Sequence, residues 1–305
     1  MKLTWKERFR GLDVAVDLGT ARTRVFVRGR GLVADEASAV LFEGGRDPRF
    51  PAPRGKVLAV GDDAPRAAAS GAGELVRPVA DGCLHDPEAA AALLAGLLRK
   101  AGALGVRRKD RTLLAQAGCG GAPEREAAKN VALRVCAREV VLIEAPMAAM
   151  IGTGEDVTDG ETRMVFDVGA GVAEAAIVRN AGIVHCESLR LGAERIRPDS
   201  PPDEAAAVLE LLLSLAARCA AAVPPDQAGS LRANGLWLVG GGALLPGFAD
   251  AVAKRTGLPV HTPENPTLSV IRGAGRVLDE LDRLPRSATP APHAASAEGA
   301  KEHAP

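Results

Sequence analysis

The chain has 305 residues, 38 lysines and arginines against 38 aspartates and glutamates, and 47% hydrophobic residues. That length allows one large or two medium domains with a substantial core, and the charge balance argues against a general nucleic-acid binder, which would carry a basic excess. No apolar run reaches the roughly 18 residues that span a bilayer, and no signal peptide is visible. The five cysteines (Cys83, Cys119, Cys136, Cys186, Cys219) include no C-x-x-C pair and read as buried free thiols of a reducing cytoplasm. His85, His185 and His261 show no metal-ligand spacing to them or to one another.

In chain order, residues 1–11 form a short basic amphipathic segment. Trp5, Phe9 and Leu12 share a side at helical spacing, with Lys2, Lys6, Arg8 and Arg10 around them. Such a segment can lie among lipid headgroups, aromatics inserted and cations near anionic lipid. The plainer alternative is a hydrophobic lid packed on the domain. Then comes a strand, Val14-Ala-Val-Asp17, running into Leu-Gly19-Thr20 and returning as Thr23 to Val27. A glycine turn leads to Gly31-Leu32-Val33. Asp86-Pro87 starts a helix to about Lys100, an N-cap followed by proline at the first helical position. Arg107 to Arg111 is a solvated turn before a strand from Arg111 to Gln116. A helix is expected from Pro123 to Cys136 and a strand from Val140 to Glu144.

The opening motif then recurs. Met164-Val-Phe-Asp167-Val-Gly169-Ala170-Gly171 is followed by a strand from Ala175 to Val178, a glycine turn, and Gly182-Ile183-Val184. Glycine lets such a turn take positive φ and lets the backbone approach a ligand closely. The freed amides make a nest for an anion, and a neighbouring aspartate can hold a hydrated Mg²⁺. One Asp-x-Gly hairpin is an ordinary turn; two in matching register, each opening its half of the chain, describe a pair of phosphate clamps facing across a cleft. Beyond them, Asp203 to about Ala222 reads as a helix stopped by Pro224-Pro225. Leu236 to Val239 is a strand meeting Gly240-Gly241-Gly242, Leu258-Pro-Val260 is a short strand, and Pro266 to Leu284 is the last helix. Residues 285–305 are dominated by Ala, Pro, Ser and Glu and read as a disordered tail. Alternation and duplication together indicate an α/β protein of two similar halves.

These residues resemble the MreB-like bacterial actins, within the actin/Hsp70/sugar-kinase superfamily. The resemblance is carried by Asp17-Leu-Gly-Thr-Ala21, Val57-Leu-Ala-Val-Gly61, Arg77-Pro-Val-Ala-Asp81-Gly82, Ala137-Arg-Glu-Val140, Leu142-Ile-Glu-Ala-Pro-Met-Ala-Ala149 and Gly240-Gly-Gly-Ala-Leu-Leu245. It implies an actin-like, ribonuclease H-like pair of α/β domains around a nucleotide cleft. Domain I would span residues 12–150, with a small subdomain IB within about 31–80, and domain II residues 151–284. By the same resemblance, Asp17, Gly19, Thr20, Arg22, Asp167, Gly169, Gly171, Gly240, Gly241, Gly242 and Ala243 would contact ATP, and Asp17 and Asp167 would hold Mg²⁺. Trp5 and Phe9 would touch the inner face of the cytoplasmic membrane.

The chain departs from the family pattern at several points. The glutamate that orients the attacking water is replaced by Ala145, and a methyl group cannot position a nucleophile. Glu144 is one residue away and expected to point elsewhere. The second hairpin has Val172 and Ala173 where the family has two threonines. Arg22 stands where the family has asparagine, either as a phosphate contact or as a space-filling cation. Finally, Gly192 to Pro202 leads almost directly into the next shared helix, so subdomain IIB is expected to be missing. The implied protein is a peripheral, cytoplasmic cytoskeletal component of cell-shape and cell-wall morphogenesis, with weak ATP and Mg²⁺ binding and doubtful hydrolysis. Its expected partners are a full-length MreB-like paralogue or itself, together with morphogenesis proteins and no nucleic acid. Alternatives are a compact Hsp70-like chaperone core, which lacks a following substrate-binding domain here, and a small sugar or acid kinase. The kinase needs a catalytic carboxylate that Gln116-Ala-Gly-Cys-Gly-Gly121 does not offer.

Overall fold

A computed structural model describes residues 13–44, 55–103, 110–118, 121–196 and 200–281. The N-terminal segment with Trp5 and Phe9, the residues from 282 onward, and most of the Arg107 to Arg111 turn lie outside the described residues.

The first half opens with a three-strand meander, β1 (Val14–Leu18), β2 (Arg22–Val27) and β3 (Gly31–Ala37). Alternation along β2 sends Val25 and Val27 into the core while Arg22, Arg24 and Phe26 face the other side. A small insertion follows: β4 (Val40–Phe42), β5 (Val57–Val60), helix α1 (Asp63–Ala68) and β6 (Glu74–Val76), forming a three-stranded sheet in the order β5-β4-β6. The hairpin of β7 (Val79–Ala80) and β8 (Cys83–Leu84) turns on Asp81 and Gly82, both at positive φ, and returns the chain to the main body. Helix α2 (Pro87–Lys100) begins as its cap requires, with Asp86 Oδ1 accepting from the Ala89 amide at 2.8 Å. Next come β9 (Asp110–Gln116), helix α3 (Ala122–Val135), β10 (Ala137–Glu144) and helix α4 (Ala145–Thr153).

The second half repeats this plan. Its meander is β11 (Arg163–Val168), β12 (Ala173–Arg179) and β13 (Gly182–Leu189). Only residues 190–201, including a 3-10 turn at Ala193–Arg195, separate β13 from helix α5 (Pro202–Ala221). Helix α6 (Ala228–Asn234), β14 (Leu236–Val239), helix α7 (Phe248–Thr256), β15 (Val260–His261) and helix α8 (Ser269–Glu280) complete it. The two five-stranded sheets run β3-β2-β1-β9-β10 and β13-β12-β11-β14-β15, each an antiparallel meander extended by two parallel strands. The duplication read from the two Asp-x-Gly hairpins is therefore a duplication of topology.

Each sheet has its own outer core. The first packs α2 and α3 leucines, valines and alanines on Val14, Val16, Val25 and Leu114; the second packs α5 and α7 on Met164, Phe166 and Leu238. A third cluster joins the halves, with α4 and α8 sandwiched between Ala15, Leu113 and Ala115 on one sheet and Val165, Ala176 and Val239 on the other. This shared layer fixes the two hairpins opposite each other at the open end of the sandwich.

Several boundaries differ from the sequence reading. β10 begins three residues earlier than expected, and the last short strand starts at Val260, after Pro259, whose ring removes a ladder donor. Pro266–Leu268 is a 3-10 turn, and α8 proper begins at Ser269. Among the described cysteines, all are free; Cys83 and Cys219 are buried, whereas Cys186 is exposed.

Candidate nucleotide cleft

The cleft lies between the two hairpins and encloses about 410 Å³. Asp17, Gly19, Thr20, Arg22, Asp167, Gly169, Gly171, Gly240 and Gly241 line it, so most of the residues singled out from the sequence converge. Gly242 is buried behind the wall, against Val168. Gly240 takes φ +80°, and a Cβ there would overlap the Asp167 carboxylate and the Val168 carbonyl. Glycine is thus required by both conformation and space. The triple glycine opens a 3-10 turn, Gly241–Leu244, and the α-helix starts only at Phe248.

The hairpins meet at their tips. Thr20 Oγ1 accepts from the Gly82 amide at 3.1 Å. A Cβ on Gly171 would come within 2.7 Å of Thr20 Oγ1 and 2.9 Å of the Asp81 backbone. The second hairpin is backed by the connector after β13: the Ala193 amide donates to Gly169 O at 2.9 Å and the Glu194 amide to Ala170 O at 3.0 Å. Connector side chains reach the first half, Arg190 to Glu124 at 3.0 Å, Glu194 to Arg77 at 2.6 Å and Arg195 to Asp81 at 3.7 Å. Arg190 lowers the Glu124 carboxyl below its usual range. Deeper in, the Gly118 amide donates to Glu174 Oε1 at 2.5 Å, a buried carboxylate of the second half meeting a loop of the first.

Asp17 and Asp167 end equivalent strands. Burial raises the Asp167 carboxyl to about 7, with the nearby Asp17 charge adding to the rise and Arg24 opposing it. Asp17 is also raised, by burial first, against the lowering effect of Arg24. Arg24 was not among the residues the sequence pointed to. The β1–β2 register places it opposite Asp17, and its Nη1 lies 3.2 Å from Asp17 Oδ2. Two charges about 4 Å apart in a medium of effective dielectric near 20 attract by about 4 kcal/mol before desolvation is subtracted. That is enough for a neighbouring cation to reshape the site.

Arg22, by contrast, is committed elsewhere. Its Nε donates to Asp35 Oδ1 at 2.6 Å, and its two amino groups reach Asp62 and the Asp35 carbonyl. Its side chain therefore ties the meander to the small inserted sheet. Ala145 lines the cleft and Glu144 does not, so the methyl group occupies the wall where a side chain could have met a ligand. Gln116 and Glu174 also line the cleft. Both could have been found by following the first hairpin's neighbours to the carboxyl ends of β9 and β12's opening turn.

The MreB/Mbl protein family model matches residues 11–199 and 203–286. The chain is 30% identical to the cell shape-determining protein MreB of Escherichia coli over 339 aligned residues, covering 90% of this chain and 96% of that protein. It is 26% identical to the cell shape-determining protein Mbl of Bacillus subtilis, covering 90% and 98%. Among solved structures, MreB5 of Spiroplasma citri bound to AMPPNP superposes with a TM-score of 0.76 at 22% identity over 90% of this chain and 97% of that one. The MamK double helical filament superposes at 0.69 and 18% identity, over 90% and 100%. The sheet order repeated in both halves, the facing Asp-x-Gly hairpins and these matches place the chain in the MreB/Mbl family of actin-like proteins.

Proposed function

We propose that the chain is an actin-like cytoskeletal protein of cell-shape determination that binds nucleotide between its hairpins and hydrolyses it poorly. The observation that carries this reading is the pair of glycine hairpins meeting at one cleft with Ala145 in its wall. The residues present fit a nucleotide's phosphates: backbone at both turns, a glycine cradle at Gly240, and the Arg24 guanidinium in the cleft wall. MreB5 of Spiroplasma citri has been seen with AMPPNP and with ADP, in keeping with this assignment. They fit Mg²⁺ poorly, because Arg24 already sets a guanidinium against Asp17. Hydrolysis needs a group that orients water, and alanine supplies none. Calorimetry with ADP and ATP beside a phosphate-release assay tests the reading. Wild type should bind and turn over slowly, and Ala145→Glu should gain turnover; brisk release by wild type would refute it.

The chain's second domain is further proposed to lack subdomain IIB. The alignment to the Escherichia coli protein spans 339 positions but draws on 90% of 305 residues, about 275, leaving roughly 60 without a counterpart here. The family match breaks between residues 199 and 203, within the connector. An actin-like body blunt at one corner suits a cap or adaptor on a full-length relative better than an unaided filament. Co-sedimentation with and without such a relative checks this, and strong polymerisation of the chain alone would count against it. A peripheral position on the inner membrane face, through residues 1–12, belongs to the same proposal. A reporter fused to those residues should line the membrane, and a uniform cytosolic signal would oppose it.

A further inference from the structure

We propose that Arg24 takes the place of a divalent cation in this cleft, so that the diphosphate of a nucleotide binds without metal. The inference rests on the nucleotide reading above and concerns what neutralises the aspartates beside the phosphates.

The register of the first meander sets three charges in a row, with Asp17 opposite Arg24 and Arg24 opposite Asp35, and Asp17 and Arg24 line the cleft. Arg24 is 13% exposed; its Nη1 lies 3.2 Å from Asp17 Oδ2, and its Nε lies 3.2 Å from Asp35 Oδ1. The Nε is nevertheless buried and makes no hydrogen bond. Of the two arginines on β2, Arg22 pairs with Asp35 and Asp62, whereas Arg24 pairs with Asp35 and with Asp17, the aspartate that ends β1 in the cleft wall.

A hydrated Mg²⁺ in a phosphate site does two things: it offsets the negative charge of nearby carboxylates, and it ties phosphate oxygens to them. A guanidinium can do both. It is always charged, and its planar fork donates in parallel to two oxygens, which matches a carboxylate on one edge and a phosphate on another. It also occupies the ground next to Asp17 that a cation's water shell would need. Arg24 could instead serve only to bind Asp17 to Asp35 within the sheet, and the experiment separates the two.

A fluorescent ADP analogue is titrated into the full chain in EDTA and again in excess Mg²⁺, for wild type, Arg24→Leu and Arg24→Lys. Wild-type affinity is expected to change by less than about threefold between the buffers, whereas Arg24→Leu loses about tenfold or more in EDTA and recovers with Mg²⁺. Arg24→Lys, which keeps the charge but not the fork, is expected to fall between them in EDTA, and it carries the test if the leucine variant does not fold. Wild-type affinity that collapses in EDTA overturns the proposal, as does an Arg24 variant that binds in EDTA as well as wild type. Wild type that binds in neither buffer sinks the nucleotide reading itself, a different result from metal dependence.

Discussion

Arg163 shows how one guanidinium can organise a turn. It is 8% exposed at the start of β11, and it holds Glu155 through Nε at 2.8 Å and Asp159 through Nη2 at 2.7 Å. Its hydrogen bonds bring the Asp159 carboxyl down to about 2, with the Glu161 amide helping. A depressed carboxylate stabilises the fold above its unfolded pKa near 4, and that contribution is lost as the pH falls through about 2. Asp159→Asn should therefore lower the melting temperature at pH 7 and narrow its difference from wild type on acidification. Melts at pH 7, 4 and 2.5 measure this; a constant difference would mean the pairing does not matter. Legibility at this scale was uneven. Asp17, Thr20 and Asp167 were readable because strand, turn and glycine announce them. Arg24 was not singled out, although counting back across the tight turn from Asp17 lands on it. The count needs a register, and a loop of Gly19-Thr20-Ala21 leaves more than one open until the structure sets it.

Among the elements, the contact of α4 with α8 shows packing that sequence patterns do not reveal. A Cβ on Gly273 would overlap the Ala148 carbonyl, and one on Gly152 would overlap the carbonyl of Ser269. The two helices meet backbone to backbone at the centre of the layer that joins the halves. Gly273→Ala improves helix propensity yet should destabilise by about 1–3 kcal/mol through overpacking. Chemical denaturation would measure it, and a neutral or stabilised variant would show that the crossing can relax. The long helices α2, α3 and α5 were legible from caps, prolines and apolar spacing. Helix α4 was hidden because Ala145-Pro-Met-Ala-Ala-Met is apolar all round and carries no period. The small sheet of β4, β5 and β6 was hidden too, since strands of three and four residues are too short for alternation to register.

For the whole molecule, the repeated topology was legible because two copies of one motif fold alike. The ion pairs that cross between the halves were not, since they join residues as distant as Arg77 and Glu194. Those ion pairs are exposed, so water and salt screen them and each adds little. Raising ionic strength to about 1 M shrinks the screening length to about 3 Å. Hydrogen exchange at Ala193 and Glu194 should then quicken, and Glu194→Lys should quicken it in low salt. Exchange indifferent to both would mean that the backbone bonds to Gly169 and Ala170 keep the strap in place alone.

The twelve residues between β13 and α5 have one further consequence. Helix α5 begins eight residues after Glu194, whose amide holds Ala170 O next to the Ala193 amide on Gly169 O. A neighbour that leans on α5 therefore acts close in sequence to the rim of the cleft.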